Sequence, residues 1–150
     1  MRYFLILLTT LAFQQMANAQ TTEDSVKAVI NNLFLAMKTA DETLFESCFA
    51  DSAIMQTVGR TREGETIIRS ESVSRFAEFV RQLKKDSADE RIRFETIKTD
   101  GPLAIVWTPY QFYHNGQFSH CGVNSFQLVR LNGNWKIQYL IDTRRRQGCL

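Results

Sequence analysis

Apolar residues recur every third or fourth position in the first half of the chain and closer to every second position in the rest. Val26, Val29, Ile30, Leu33, Phe34 and Met37 make one stripe at helical spacing. Before them, Thr21-Thr22-Glu23-Asp24 offers capping hydroxyls and acids for the positive end of a helix dipole. The pattern predicts a helix ending near Thr39. Asp41 can cap a second, short helix running to Phe49, with Leu44, Phe45, Cys48 and Phe49 on one face. Ala53 to Val58 reads as a strand, and the charged stretch Arg60 to Arg69 as a loop holding a short strand. Ser70 or Ser72 opens a third helix that buries Val73, Phe76, Phe79, Val80 and Leu83. From Glu90 onward the helical period vanishes. Ile92, Phe94 and Thr96 alternate in one strand, Leu103 to His114 form a long second, Phe118 to Leu131 a third and Trp135 to Thr143 a fourth. Asn115-Gly116 and Asn132-Gly133 are the strongest short hairpin signals. No repeat or linker interrupts the series, so the reading is one α+β domain, three helices packed on an antiparallel sheet.

The hairpins predict a register. A two-residue Asn115-Gly116 loop pairs Tyr113 with Phe118, Gln111 with His120, Trp107 with Asn124 and Ile105 with Phe126. One face then collects Leu103, Ile105, Trp107, Gln111, Tyr113, Phe118, His120, Asn124, Phe126 and Leu128, joined by Ile137, Tyr139 and Ile141 through the second hairpin. That face is the expected core. Gln111, His120 and Asn124 are polar intruders on it, flanked by Trp107, Tyr113 and Tyr139. Buried polar groups need partners, so the cluster points either to a cavity holding a ligand or to mutual hydrogen bonds in a packed core. A β-bulge within Leu103 to His114 would exchange the two faces.

Composition narrows the function classes. With 150 residues, 44% hydrophobic and 23% charged, the chain is an ordinary globular protein, and its formal charge of +2 is too small for a dedicated nucleic-acid binder. The first nineteen residues read as a signal peptide: Arg2 supplies a positive start, Phe4 to Phe13 is mostly apolar, and Ala17-Asn18-Ala19 has small residues at the two cleavage positions. Gln14, Gln15 and Asn18 end the apolar run too early for a membrane anchor. The expected mature domain is 20–150, periplasmic or secreted, and free of the membrane after cleavage. In an oxidising compartment Cys121 and Cys149 could bridge, though the sequence does not set the connectivity among Cys48, Cys121 and Cys149. No metal-ligand spacing or phosphate-binding glycine loop occurs, and no cofactor is expected.

Two segments carry a family resemblance: Asp41 to Ala53, which reads D-x-x-x-F-x-x-x-F-A-D-S-A once Asp41 is aligned with the first acid, and Phe126-Gln127-Leu128-Val129-Arg130-Leu131-Asn132-Gly133-Asn134-Trp135-Lys136-Ile137. Their order and spacing resemble the nuclear transport factor 2-like superfamily, nearest its small SnoaL-like and lumazine-binding-like bacterial members, over roughly Glu23 to Arg144. The resemblance implies a cone-shaped fold, a curved sheet wrapped by helices around a hydrophobic pocket, and frequent dimers. The superfamily holds isomerases, cyclases and dehydratases beside non-enzymatic binding domains, so the site must decide.

Two functions are expected. The first is a non-catalytic exported domain binding a small apolar or aromatic ligand, with Trp107, Tyr113, Phe118 and Tyr139 as walls and Gln111, His120 and Asn124 as hydrogen-bonding groups. The alternative is an enzyme of isomerase, cyclase or dehydratase type with His120 as general base. The first is preferred because the inferred pocket face from Leu103 onward carries no Asp or Glu, so an acid to orient His120 would have to come from Asp51, Glu63 or Glu65 in the helical half. Tyr110, Phe112, Val123 and Leu140, expected on the opposite face, suggest a homodimer surface.

Overall fold

The computed structural model describes residues 22–149; the expected signal peptide lies outside them. The apolar stripe forms helix α1 (22–39), whose Val26, Ile30, Leu33 and Ala36 are buried. Asp41 then starts α2 (Glu42–Ser47) by accepting from the Leu44 amide at 2.8 Å, and Ser72 starts α3 (Val73–Gln82) by accepting from the Arg75 amide at 3.2 Å. Phe45 of α2 stacks on Phe76 of α3 at 5.2 Å between ring centroids. Ala77 and Val80 carry the buried side of α3, whereas Phe79, expected there, is largely exposed and only edges against Phe76.

Seven strands form one sheet: β1 (Phe49–Arg60), β2 (Thr66–Glu71), β3 (Ala88–Ile92), β4 (Thr96–Asp100), β5 (Leu103–His114), β6 (Gln117–Leu131) and β7 (Asn134–Arg145). Their order is β2-β1-β7-β6-β5-β3, with β4 also on β5. Two features differ from expectation. The sheet is mixed, because β1 runs parallel to β7, and the helices do not all precede it, because β1 and β2 stand between α2 and α3. The expected strand through Ile92, Phe94 and Thr96 is split into β3 and β4 opposite Pro109. Arg93 donates to the Pro109 carbonyl at 3.0 Å, and proline's missing N–H on that side leaves the ladder one donor short.

The hairpins form where expected, with Asn115, Gly116, Asn132 and Gly133 all at positive φ. Register holds for Tyr113 with Phe118 and then shifts: Phe112 faces His120, Thr108 faces Asn124 and Val106 faces Phe126. Beyond this bulge the faces of β5 are exchanged. Ala104, Val106, Thr108 and Tyr110 are buried, while Leu103, Ile105 and Trp107 are 44%, 43% and 45% exposed. A second bulge between β6 and β7 pairs Leu128 with Ile137 but Phe126 with Leu140. Ile137, Leu140 and Asp142 therefore face the helices, and Tyr139 and Ile141 lie on the other side. The core joins Val26, Ile30 and Leu33 to Ala104, Val106, Phe126, Leu128, Trp135 and Ile137.

This assignment of faces separates two substitutions of similar chemistry. Leu128→Ala should cost about 2–5 kcal/mol in chemical denaturation, and Ile105→Ala under about 1 kcal/mol. Comparable losses would mean that the faces are not arranged in this way.

Candidate functional site

The helices cover one end of the sheet's inner face and leave a cavity of about 800 Å³ over the rest. Its apolar wall comes from Leu33, Phe34 and Met37 of α1, Phe45 of α2 and Phe76 of α3, with Met55 and Leu140 below. Its polar wall is assembled from four strands. Register places Thr57 of β1 beside Asp142 of β7 and Asn124 of β6 on the other flank of Asp142, while β3 supplies Glu90.

These groups form two linked sets. Asn124 Nδ2 donates to Glu90 Oε1 at 2.8 Å. Asp142 accepts from Arg144 Nε at 2.9 Å and from the Thr57 hydroxyl, and its other neighbour is the Tyr110 hydroxyl at 3.3 Å. Tyr110 also donates to the Thr143 carbonyl at 2.9 Å. Gly122 makes room for that reach. A Cβ there would stand 1.8 Å from the Thr143 oxygen and 2.8 Å from the Tyr110 ring.

Burial sets the electrostatics. It pushes the Glu90 carboxyl up to about 7; the nearby Asp142 charge adds to this, while the Asn124 hydrogen bond and Arg144 oppose it. Burial likewise lifts the Tyr110 phenol above its ordinary range, helped by Glu90 and Asp142, so it remains a donor near neutral pH. The site can therefore offer an amide, an engaged carboxylate and a carboxyl that exchanges its proton near pH 7, with the Tyr110 phenol behind them held by Thr143 and Asp142. Such a set can orient a polar ligand edge or move a proton.

Of the expected site residues, Asn124 lines this cavity. Trp107, Gln111, Tyr113, Phe118 and Tyr139 do not, because the bulges and strand alternation place them on the outer face. There Tyr113 donates to Gln111 Oε1 at 3.0 Å and packs edge-on against Phe118, and Tyr139 donates to Gln56 Oε1 at 2.8 Å. His120 shares the inner face but lies beyond Tyr110 and Phe112, with ring centroids at 5.8 and 5.0 Å and Nδ1 at 3.0 Å from Ser119 Oγ. Burial first, then Arg144 and Arg146, lower its pKa against the pull of Asp142. It does not line the cavity.

The expectation that the pocket face from Leu103 onward carries no Asp or Glu is corrected: Asp142 lines the cavity, joined by Glu71 and Glu90 from earlier strands, whereas Asp51, Glu63 and Glu65 do not line it. The bulge-free register that turns Tyr139 and Ile141 inward turns Asp142 and Arg144 outward, and the β6–β7 bulge reverses this; Glu90 carries no sequence signal beyond its place at the start of a strand. Among the described residues, no group of three or more His, Cys, Asp or Glu is placed to hold a metal ion. Cys121 and Cys149 form a disulfide, and Cys48 is a buried free thiol that burial raises to about 11.

A curved mixed sheet with helices and a cavity on one face is the architecture of a nuclear transport factor 2-like domain. More narrowly, the chain belongs to the family described as "Putative lumazine-binding", whose profile matches residues 21–139. Solved structures share the fold. A nuclear transport factor 2-like protein of unknown function from Silicibacter pomeroyi DSS-3 is 16% identical, with a TM-score of 0.66 over 85% of this chain and 98% of that one. Another from Shewanella baltica OS155 is 13% identical, with a TM-score of 0.65 over 85% and 96%. A domain of unknown function with a cystatin-like fold from Nostoc punctiforme PCC 73102 is 17% identical, with a TM-score of 0.65 over 84% and 78%. No curated protein matches the chain.

The position of Glu90 has a signed consequence for stability. Its folded pKa of about 7 lies above the ordinary 4.5, so between these values the native state binds more protons than the unfolded chain. This contribution is fully present below pH 4.5 and is lost as pH rises through 7. Glu90→Gln should remove that loss, so its stability relative to wild type should rise by about 1–3 kcal/mol between pH 5 and pH 8 in urea titrations. A constant difference would show that the carboxyl is not held in this way.

Proposed function

We propose that this chain is an exported small-molecule-binding domain that holds a ligand with an apolar or aromatic body in its cavity without turning it over. The carrying observation is the cavity itself: about 800 Å³, apolar on its helical side and polar at Glu90, Asn124 and Asp142. That is the size and lining of small-ligand sites in general. The family description supports a small ligand and names lumazine, a flat heteroaromatic whose edge could meet Asn124 and the Glu90 carboxyl. The Cys121–Cys149 disulfide supports export, since thiols stay reduced in most cytosols. So does the sequence reading of residues 1–19 as a signal peptide followed by a domain over 20–150. Among the described residues, no helix is long and apolar enough to cross a membrane.

One observation favours a second reading, an acid–base enzyme of isomerase, cyclase or dehydratase type. Glu90 titrates near neutrality in the cavity, hydrogen-bonded to Asn124. In that case Glu90, rather than His120, takes the proton. A bound compound recovered chemically changed would favour this reading over simple binding.

Native mass spectrometry of protein from its own host should show a mature chain starting at Gln20 and an added mass released on denaturation. Calorimetry with lumazine should give saturable binding that Asn124→Ala weakens by about ten-fold or more. An empty protein that also ignores lumazine would overturn the ligand reading.

We also propose a homodimer through the outer sheet face. The residues that carry it differ from those expected: Tyr110 and Leu140 are buried inside, whereas Leu103, Ile105 and Trp107 present an exposed apolar row on β5. Sedimentation at micromolar concentration should show a dimer that Trp107→Lys dissociates. A wild-type monomer would refute it.

A further inference from the structure

The rim of the cavity carries positive charge that its own acids leave uncompensated. Arg60, Arg69, Arg144 and Arg145 all line it. Arg144 is tied to Asp142, but among the described residues neither Arg60 nor Arg69 has an ion pair. Glu71, which also lines the cavity on the strand that bears Arg69, is engaged by Arg75 at 3.2 Å and by the Ser72 amide. Glu90 gives little negative charge below pH 7, because burial favours its protonated form.

The backbone sets two of these cations over neighbouring positions of β1. Arg69 is the register partner of Thr57, and its guanidinium lies over Gly59, 3.4 Å from where a Cβ would stand. On the other side of β1, Val58 pairs with Thr143, so the next step of the parallel register brings Arg144 alongside Gly59. Arg144 Nη2 also reaches to 3.5 Å from Thr57 Oγ1. The guanidinium of Arg69 thus lies over Gly59 and that of Arg144 against Thr57, neighbouring positions on the same face of β1. Asp142 offsets the Arg144 charge, so an entering anion is drawn to the uncompensated Arg69 with Arg144 beside it.

Resting on the reading of the cavity as a ligand site, we propose that Arg69, with Arg144 beside it, binds the anionic group of the ligand, a carboxylate, sulfonate or phosphate. The ligand is then an anionic amphiphile, with its apolar body against Phe34, Met37 and Phe76 and its charge at Arg69 on the rim. The planar, multidonor guanidinium suits such oxyanions.

Two fluorescent probes with the same aromatic body test this with the full mature chain: anilinonaphthalene sulfonate, and N-phenylnaphthylamine, which lacks the sulfonate. The sulfonate should bind about five-fold or more tightly than its neutral counterpart, with affinity falling as salt rises. Arg69→Gln should weaken the sulfonate about five-fold and leave the neutral probe within about two-fold, and Arg69→Lys should restore part of the loss. Lys98→Gln, on the outer face beside Ile105, should change neither. Equal affinities for the two probes, or equal losses for both in Arg69→Gln, would overturn the proposal. A loss of sulfonate binding in Lys98→Gln would place the probe on the outer face and overturn it too. If neither probe binds while lumazine does, the anion site fails and the cavity reading survives; if all three fail, both fall.

Discussion

One extra residue in the β5–β6 ladder decides what the inner face of this protein contains. Between the Tyr113–Phe118 pair and the Phe112–His120 pair, β6 advances by two positions and β5 by one. Because strand side chains alternate with period two, everything farther along β5 then changes sides relative to its hairpin-derived partners. Tyr110 turns inward, Trp107 turns outward, and Asn124 meets Thr108 instead of Trp107. The second bulge, at Gln138, does the same for β7 and brings Leu140, Asp142 and Arg144 inward. Without both shifts the acids and the guanidinium would not share a face with Asn124.

The cavity that results holds its two carboxylates in unequal states. Asp142 has Arg144, the Thr57 hydroxyl and the Tyr110 hydroxyl around it, drawn from three strands, so its charge is well accommodated. Glu90 has one amide partner on an edge strand and is removed from water. A single neutral hydrogen bond does not offset the loss of water around a carboxylate, and the nearby Asp142 charge makes ionisation harder still. Gly122 contributes indirectly. Only a residue without Cβ lets the Tyr110 ring cross β6 and reach Thr143.

Local pattern made much of the fold legible. The α1 stripe, the Asp41 and Ser72 caps and both Asn-Gly hairpins were readable because each depends on a few neighbouring residues. What was not readable depends on distant pairing. The parallel contact of β1 with β7 joins residues far apart in sequence, and nothing in the β5 pattern betrays the extra residue at Ser119 of β6, since both faces of β5 are apolar. Leu103, Ile105 and Trp107 looked like the core by size, yet Ala104, Val106 and Thr108 are the buried set. Small side chains suit the inner side because α1 packs closely there, Phe34 against Phe126 at 6.4 Å. Of the site, Asn124 was legible as a polar residue among apolar ones, whereas Glu90 and Asp142 acquire meaning only once four strands are assembled.

The same assembly separates binding from chemistry by physical role. Arg69 and Arg144 stand at the rim, where water screens them, so they can select and orient an anion but not strongly alter its reactivity. Glu90 lies deeper, in surroundings that favour its neutral form, and can act on a ligand only where the ligand's body already displaces water. A ligand anchored by its charge at Gly59 and by its body against α1 would leave its inner edge facing Asn124 and Glu90. At neutral pH that carboxyl is poised between donating and accepting a hydrogen bond, so the protonation of the ligand's inner edge settles which it does. Binding alone requires only that Glu90 adapt to that edge; turnover requires that the proton also leave by another route, and the nearby cavity carboxylate, Asp142, is already engaged by Arg144 and Thr57. The arrangement therefore weighs toward recognition.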